Sequence, residues 1–414
     1  MAGGHERGVQ VVDQPLRAPH GEEPPCAGGV RQRPVVDALA DAPVRDRLRR
    51  ARTLTFRSLC GDSPDTLTTG ARFLSLLELV REAAVAFAWS SVERTAHLIR
   101  RLGIDCELRL NGTLRAAAKA QDAAAVRRSQ EDMAGFGMPV EWIGRDELPG
   151  IVGHPRYHGA FLDRRGGDLD PLRYSRGLAE AAARAGATIH GDSRALRLER
   201  DKGAWRLTTA AGTLRAARVL VCCNGYTDDL VPGLRRALVP VFSSVLASRP
   251  LPVKLAAAIL PGRQVLYESG LVTVYYRVDH RNRLIIGGRG PMRPIASPDR
   301  LGPVARHAFD LWPALAETGW ETAWNGRVAV TTDHMPHVHE VSPGLIAVYG
   351  YNGRGVALAS ALGKPLAACL AGEIAAADLP IPPSAVRPIR FHRFWPVGVH
   401  ATIAWSRLRN ALTK

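Results

Sequence analysis

The sequence predicts an α/β chain, α+β overall, with a strand–turn–helix portion beside a mostly antiparallel one. Three stretches carry that expectation. Arg218-Val219-Leu220-Val221-Cys222-Cys223 is an apolar run stopped by Asn224-Gly225, the pattern of a strand buried on both faces of a parallel sheet. Leu345–Tyr349 reads as a second strand, followed by the turn Gly350-Tyr351-Asn352-Gly353-Arg354-Gly355 and a helix over Val356–Ala371. Between them VTVYYRV, the turn DHRN and RLIIGG read as an antiparallel hairpin.

The other elements follow in chain order. Met1–Gly70 is rich in Pro, Gly, Arg and Ala, has no apolar period and reads as irregular. Phe73–Gly103 is helical: Leu76, Leu77, Val80, Ala84 and Phe87 recur at helical spacing, then Val92, Ala96, Leu98 and Ile99, and Gly103 is placed to cap the end. Asn111-Gly112 signals a turn, and Leu114–Gly135 reads as an amphipathic helix. Asp170 and Pro171 stand as N-cap and first residue of a helix that ends at Gly186. Short strands are expected at Ala187–His190, Ala195–Glu199, Trp205–Thr209 and Thr213–Ala216. No internal repeat is present.

Composition narrows the function classes. A chain of 414 residues with 46% apolar content can bury a sizeable core. It contains no uncharged apolar run of about 18 residues, so no transmembrane helix is expected. The N-terminus lacks the apolar core of a secretory signal. Cys26, Cys60, Cys106, Cys222, Cys223 and Cys369 are scattered without CxxC spacing, which favours reduced thiols and a cytoplasmic protein over a disulfide scaffold or zinc site. The net charge of +16 comes mostly from dispersed Arg and forms no basic block or nucleic-acid-binding signature, so no nucleic-acid partner is expected. The tail from Ala385 to Lys414 holds six cations and no carboxylate; it could touch an anionic membrane surface or be a solvated end.

The turn Gly350–Gly355 is the most suggestive motif. Glycines let backbone N–H groups approach a ligand without interference from Cβ. The helix N-terminus that follows carries unpaired N–H groups and partial positive charge, which suits a phosphate or an anion that develops during reaction. A bare GxxGxG turn is equally compatible with a purely structural strand-to-helix connection.

The context of the turn is more specific. GYNGRGVALASALG, following WNGRVAVTTDHMPHVHEVSPGLIAV, resembles the C-terminal flavin-contacting segment of the FAD-dependent D-amino-acid oxidase superfamily. It looks most like the branch containing gamma-glutamylputrescine oxidoreductases. LIRRLGIDCELRLNGTLRAAA, GAFLDRRGGDLDPLRYSRGLAEAAARAGATIHGDS and RVLVCCNGYTDDLVPGLRRALVPVFSSVLASRPL resemble earlier segments of the same family, in the same order.

The resemblance implies an incomplete FAD/NAD(P)-binding Rossmann-like domain joined to a mostly antiparallel substrate domain. Residues 1–70 are atypical, and 71–150 form a helical segment contributing to the substrate domain. Residues 151–235 and 325–385 form a discontinuous FAD-binding domain, 236–324 the antiparallel substrate domain, and 386–414 a basic tail. FAD is the implied cofactor. Gly350, Tyr351, Asn352, Gly353, Arg354 and Gly355 would wrap the edge of the flavin ring, and the helix from Val356 would stabilise negative charge there. Ala195 is placed for a backbone contact to adenine, and Cys223, Asn224 and Gly225 for a turn near the pyrophosphate, with Cys223 as packing rather than a redox thiol.

The implied reaction is amine oxidation by hydride transfer to flavin, with oxygen or another acceptor closing the cycle; it implies no obligatory protein base. Amino-acid oxidases of the superfamily often carry a Gly seven residues before an Asp, with an Arg two after the Gly that clamps a carboxylate. Gly326 and Asp333 fit that frame but put Val328 at the clamp position, with Arg327 beside it on the opposite strand face. That favours an amine or an acylated polyamine over a simple α-amino acid. Tyr276, Arg289 and Arg327 are the candidate substrate residues. His334, His337 and His339, with Asp333 and Glu340, could be read as metal ligands, but the spacing fits surface histidines beside a turn and no metal is expected. The family's N-terminal GxGxxG unit, which holds the ADP half of FAD, has no counterpart in this sequence. Two readings stay open: an FAD-dependent amine oxidoreductase, or a non-catalytic remnant of the family that does not hold FAD.

Overall fold

The computed structural model of the protein describes residues 84–270, 273–295, 297–399 and 401. The irregular segment expected over 1–70, the first part of the helix expected from Phe73, and the end of the basic tail lie outside the described residues.

The strands in chain order are β1 (Thr113–Ala116), β2 (Val140–Ile143), β3 (Ala160–Asp163), β4 (Arg197–Asp201), β5 (Ala204–Thr208), β6 (Thr213–Ala216) and β7 (Val219–Val221). There follow β8 (Val239–Ser248), β9 (Val265–Glu268), β10 (Tyr275–Val278), β11 (Leu284–Arg289), β12 (Trp320–Val330), β13 (His337–Ser342) and β14 (Leu345–Tyr349). They form an eight-stranded sheet of order β12-β8-β11-β10-β9-β1-β3-β2, a three-stranded sheet β13-β14-β7 and a three-stranded sheet β4-β5-β6. The large sheet is antiparallel except at its β1–β9 seam, which is parallel. The fold is therefore α/β, with a large, mostly antiparallel sheet beside a small sheet that carries a parallel pair.

Side-chain alternation gives the large sheet two different faces. One is packed solid: Leu114, Leu246, Leu266, Tyr276, Val278 and Ile286 meet Val304, Ala308 and Leu311 of the helix Gly302–Leu311. On the other face, the helix Ala120–Gly135 covers the β1-β3-β2 end through Val126 and Met133 against Phe161 and Trp142.

The small sheet follows the sequence expectation. All five residues of β14 are buried, and β14 pairs in parallel with β7. The helix Gly355–Ala371 lays Leu358, Ala361, Leu362 and Leu366 against Val338, Ile346 and Val348. The opposite face packs Val219, Val221, Ala347 and Tyr349 against Trp205, Val231 and Leu234. Asp170 caps the helix Pro171–Arg184 by accepting from the N–H groups of Leu172 at 2.9 Å and Arg173 at 3.0 Å. Gly103 ends its helix in the left-handed conformation, with φ 62°.

Two expectations are corrected. Leu114 does not begin a helix: Thr113–Ala116 is β1, with Leu114 and Ala116 fully buried between β3 and β9, and the helix starts at Ala120. Ala187–His190 forms no strand; the chain enters the β4-β5-β6 sheet only at Arg197.

Candidate active site

The turn between β14 and the helix Gly355–Ala371 is held by two asparagines in left-handed conformations. Asn224, at φ 44°, accepts from the Gly350 N–H at 3.0 Å and ties the 223–225 turn to the 350–355 turn. Asn352, at φ 51°, accepts from the Thr331 N–H at 3.0 Å, while its own N–H donates to the Ala329 carbonyl at 3.2 Å. Asn tolerates this conformation better than other residues with a Cβ. Replacing Asn224 with Ala removes the bond and keeps the backbone cost. The unfolding free energy is expected to fall by about 2 kcal/mol. A loss below about 0.5 kcal/mol in urea titration, less than one net hydrogen bond, would show that the tie contributes nothing.

Gly350 has φ 83°, and a Cβ there would meet Thr331 Cγ2 at 2.5 Å. Gly353 has φ 91° but faces open space, with nothing within 4 Å of where its Cβ would stand. The turn is thus packed at its base and bare at its tip, and the helix behind it presents first-turn N–H groups. Tyr351 points inward with Leu358 and Val338, and burial pushes its phenol well above the ordinary range. Arg354 and Val356 are exposed beside the bare tip. At the neighbouring turn, Gly225 passes so close to β12 that a Cβ would stand 2.5 Å from the Arg327 carbonyl oxygen. Burial and the Asp228 carboxylate raise the Cys223 thiol, which keeps it protonated at neutral pH and fits packing. Ala195 is buried just before β4, in the three-stranded antiparallel sheet.

The candidate substrate residues are separated by the pleat. Arg289 stands opposite Ser243, Ser243 opposite Gly326, and Val328 follows on the same face of β12. Tyr275 and Tyr267 share that face, and the Tyr275 hydroxyl lies 2.7 Å from Ser243 Oγ. Tyr276 is on the other face, 1% exposed, edge-on to Trp312 and 3.0 Å from the Tyr157 hydroxyl. It is a core residue and does not belong to the substrate surface. Arg327 also projects to the other face, its guanidinium 5.3 Å from the Tyr226 ring and 5.6 Å from the Phe242 ring, so it is removed from Arg289. Arg289 remains on the open face, where burial lowers its pKa from the ordinary guanidinium value. Sequence reasoning missed Tyr267, Tyr275, Ser243 and Arg115. Burial pushes the Tyr267 phenol upward, and the Arg115 and Arg354 charges oppose that shift. The charge of Arg354 on the glycine turn is thus felt at Tyr267.

Of the candidate histidines, His337 and His339 are engaged with protein groups. His337 Nε2 is 3.1 Å from Asp333 Oδ1, and the two rings of His337 and His339 stack at 5.5 Å. His339 Nδ1 contacts the Ser384 carbonyl at 2.6 Å and its Nε2 the Tyr349 hydroxyl at 2.8 Å; burial holds its pKa below the ordinary histidine value. Among the described residues, no group of three His, Cys, Asp or Glu is placed to hold a metal ion. No helix among them is long and apolar enough to cross a membrane.

The profile of the family described as FAD dependent oxidoreductase, DAO, matches residues 47–369, more than half of the chain. The chain belongs to the DAO family of FAD-dependent oxidoreductases. A probable oxidoreductase, OrdL, of Rhizobium meliloti (strain 1021) is 33% identical over 278 residues, covering 67% of this chain and 64% of that protein. Gamma-glutamylputrescine oxidoreductase of Escherichia coli (strain K12) is 28% identical over 280 residues, covering 66% of this chain and 65% of the relative. The match thus spans less than two thirds of these relatives' own length. Among solved structures, glycine oxidase from Geobacillus kaustophilus superposes with a TM-score of 0.63 at 23% identity, over 73% of this DAO-family chain and 84% of that one. At that identity the likeness concerns the fold.

The residues present fit a flavin at the glycine turn. A bare, left-handed Gly353, a helix N-terminus and two asparagine ties make a preformed backbone cradle.

Proposed function

We propose that this chain is an FAD-dependent oxidoreductase acting on an amine, an acylated polyamine or an amino-acid-like compound. The observation that carries the reading is the asparagine-tied turn Gly350–Gly355, bare at Gly353, in a chain whose large sheet carries Arg289, Tyr275 and Tyr267 on one face. When bound there, flavin would supply the acceptor for a hydride from the carbon that bears the amine. The chain's own residues hold and orient. Helix N–H groups favour negative charge at the turn. Tyr275, hydrogen-bonded to Ser243, and Arg289 line the substrate side. Val328 supports an amine without a carboxylate at the reacting carbon, because no guanidinium occupies that position on the open face. Oxygen or another acceptor completes the cycle, and Ala195 and the 223–225 turn extend the cofactor site.

The test is the visible spectrum of the purified full chain after adding FAD and removing the excess. The absorption of oxidised flavin, bleached by a substrate amine without oxygen, is the expected result. The sequence has no GxGxxG, which favours the second reading, a family member that does not retain the cofactor. A colourless protein after reconstitution would establish that reading and remove the first.

A further inference from the structure

Arg115 lies on β1, opposite Phe161 of β3 and Tyr267 of β9, and shares the Tyr267 face of the sheet. Its Nε is buried and has no hydrogen-bond partner. A buried charged donor left unpaired is costly, and a ligand that accepts from it removes that cost. The carboxylate whose charge acts on Tyr267 is that of Asp163. That carboxylate is already engaged by Arg165, through Nε at 3.0 Å and Nη2 at 2.9 Å. The charge of Arg354, exposed on the glycine turn, also acts on Tyr267. Arg115 therefore neighbours Tyr267 across the β1–β9 pair and has no acidic partner among the described residues. Arg289 stands on the same face beyond β10, roughly three strand spacings, or about 14–16 Å, from Arg115.

We infer that Arg115 and Tyr267 form an anion site that takes a carboxylate at the far end of the substrate, away from the reacting amine. The planar guanidinium of Arg115 matches a carboxylate, and the Tyr267 hydroxyl supplies a further donor. The reading of the sheet face as the substrate side is the foundation of this assignment. It narrows the substrate class to amines that carry a remote carboxylate, several bonds from the oxidised carbon. Such a site also explains how Val328 can replace a clamp close to the reaction: orientation comes from the distal end instead.

The test is calorimetric titration of the full chain, with and without added FAD, using glutarate and inorganic phosphate as probes. Glutarate is expected to bind. Arg115→Gln weakens it at least tenfold, Arg115→Lys recovers part of the loss, and Tyr267→Phe weakens it severalfold with an unchanged melting temperature. FAD retention, read as visible absorbance after desalting, stays at the wild-type level in each. The inference is overturned if wild type does not bind glutarate, or if Arg115→Lys and Tyr267→Phe bind it as tightly as wild type. It is equally overturned if Arg115→Gln keeps glutarate binding but loses FAD, which would assign the guanidinium to a flavin phosphate. Should Arg115→Gln fail to fold, the Lys and Phe variants decide. A colourless chain that still binds glutarate through Arg115 would remove the oxidoreductase reading and leave the anion site standing.

Discussion

Gly350→Val is expected to destabilise the protein by about 3 kcal/mol and to abolish retention of added FAD. The two costs are separate. The backbone at φ 83° lies where a residue with a Cβ is disfavoured by about 1–2 kcal/mol, and a β-branched residue suffers most. The new side chain must also enter space held by Thr331 Cγ2 at 2.5 Å and the Met335 carbonyl at 3.3 Å, and overpacking of this kind costs about 1–3 kcal/mol. Thr331 cannot move freely, because its N–H is bound by Asn352 and its hydroxyl donates to the Met335 carbonyl. Gly353→Ala is the control. It shares the positive φ but meets no protein atom, so its stability loss is confined to about 1 kcal/mol. If the tip faces flavin, Gly353→Ala loses cofactor out of proportion to stability. Urea unfolding and the absorbance of the desalted proteins read both quantities, and equal stabilities for the two variants would contradict the packing described here.

The second large effect separates the two faces of the sheet. Tyr276→Ala is expected to cost about 4 kcal/mol, the usual scale for deleting a large, fully buried aromatic ring. Its ring packs on Trp312 and its hydroxyl joins Tyr157, whose own hydroxyl is 3.1 Å from Glu268 Oε1. Tyr276→Phe keeps the ring and removes only the hydroxyl, at about 1 kcal/mol. A substrate contact behaves oppositely: KM rises in the Phe variant while stability holds. An Ala variant within about 1 kcal/mol of wild type, far below the core range, would return Tyr276 to the list of surface residues.

The sequence made some of this arrangement readable and concealed the rest for physical reasons. The β14–turn–helix unit was legible because a continuous apolar run, a glycine turn and a helical period are all local signals. The β10–β11 hairpin was legible for the same reason. Its register pairs Tyr275 with Gly287, two residues before Arg289. Counting back from the DHRN turn therefore puts Tyr275, not Tyr276, beside Arg289. Alternation told that Arg327 and Val328 point to opposite faces, but not which face is filled with core. The helix expected from Leu114 failed because the strand character of Thr113–Ala116 comes from distant partners in β3 and β9, which no local window contains. Arg115 was invisible as a candidate for that reason: its company is assembled wholly by tertiary pairing.

The parallel β1–β9 seam has a consequence for how the molecule comes together. Thr113 and Val265 must meet across about 150 residues of intervening chain, a loop closure that has to be completed before the contacts it brings are gained. The hairpins on either side can form early from local contacts, and they leave two open strand edges until the seam closes. Joining them is therefore expected to be the slow, late step of folding. Arg115 and Tyr267 face each other across that seam, so a ligand held by both recognises only the finished sheet. By mass action it would stabilise the closed form against the split one and protect the edges from pairing with other chains.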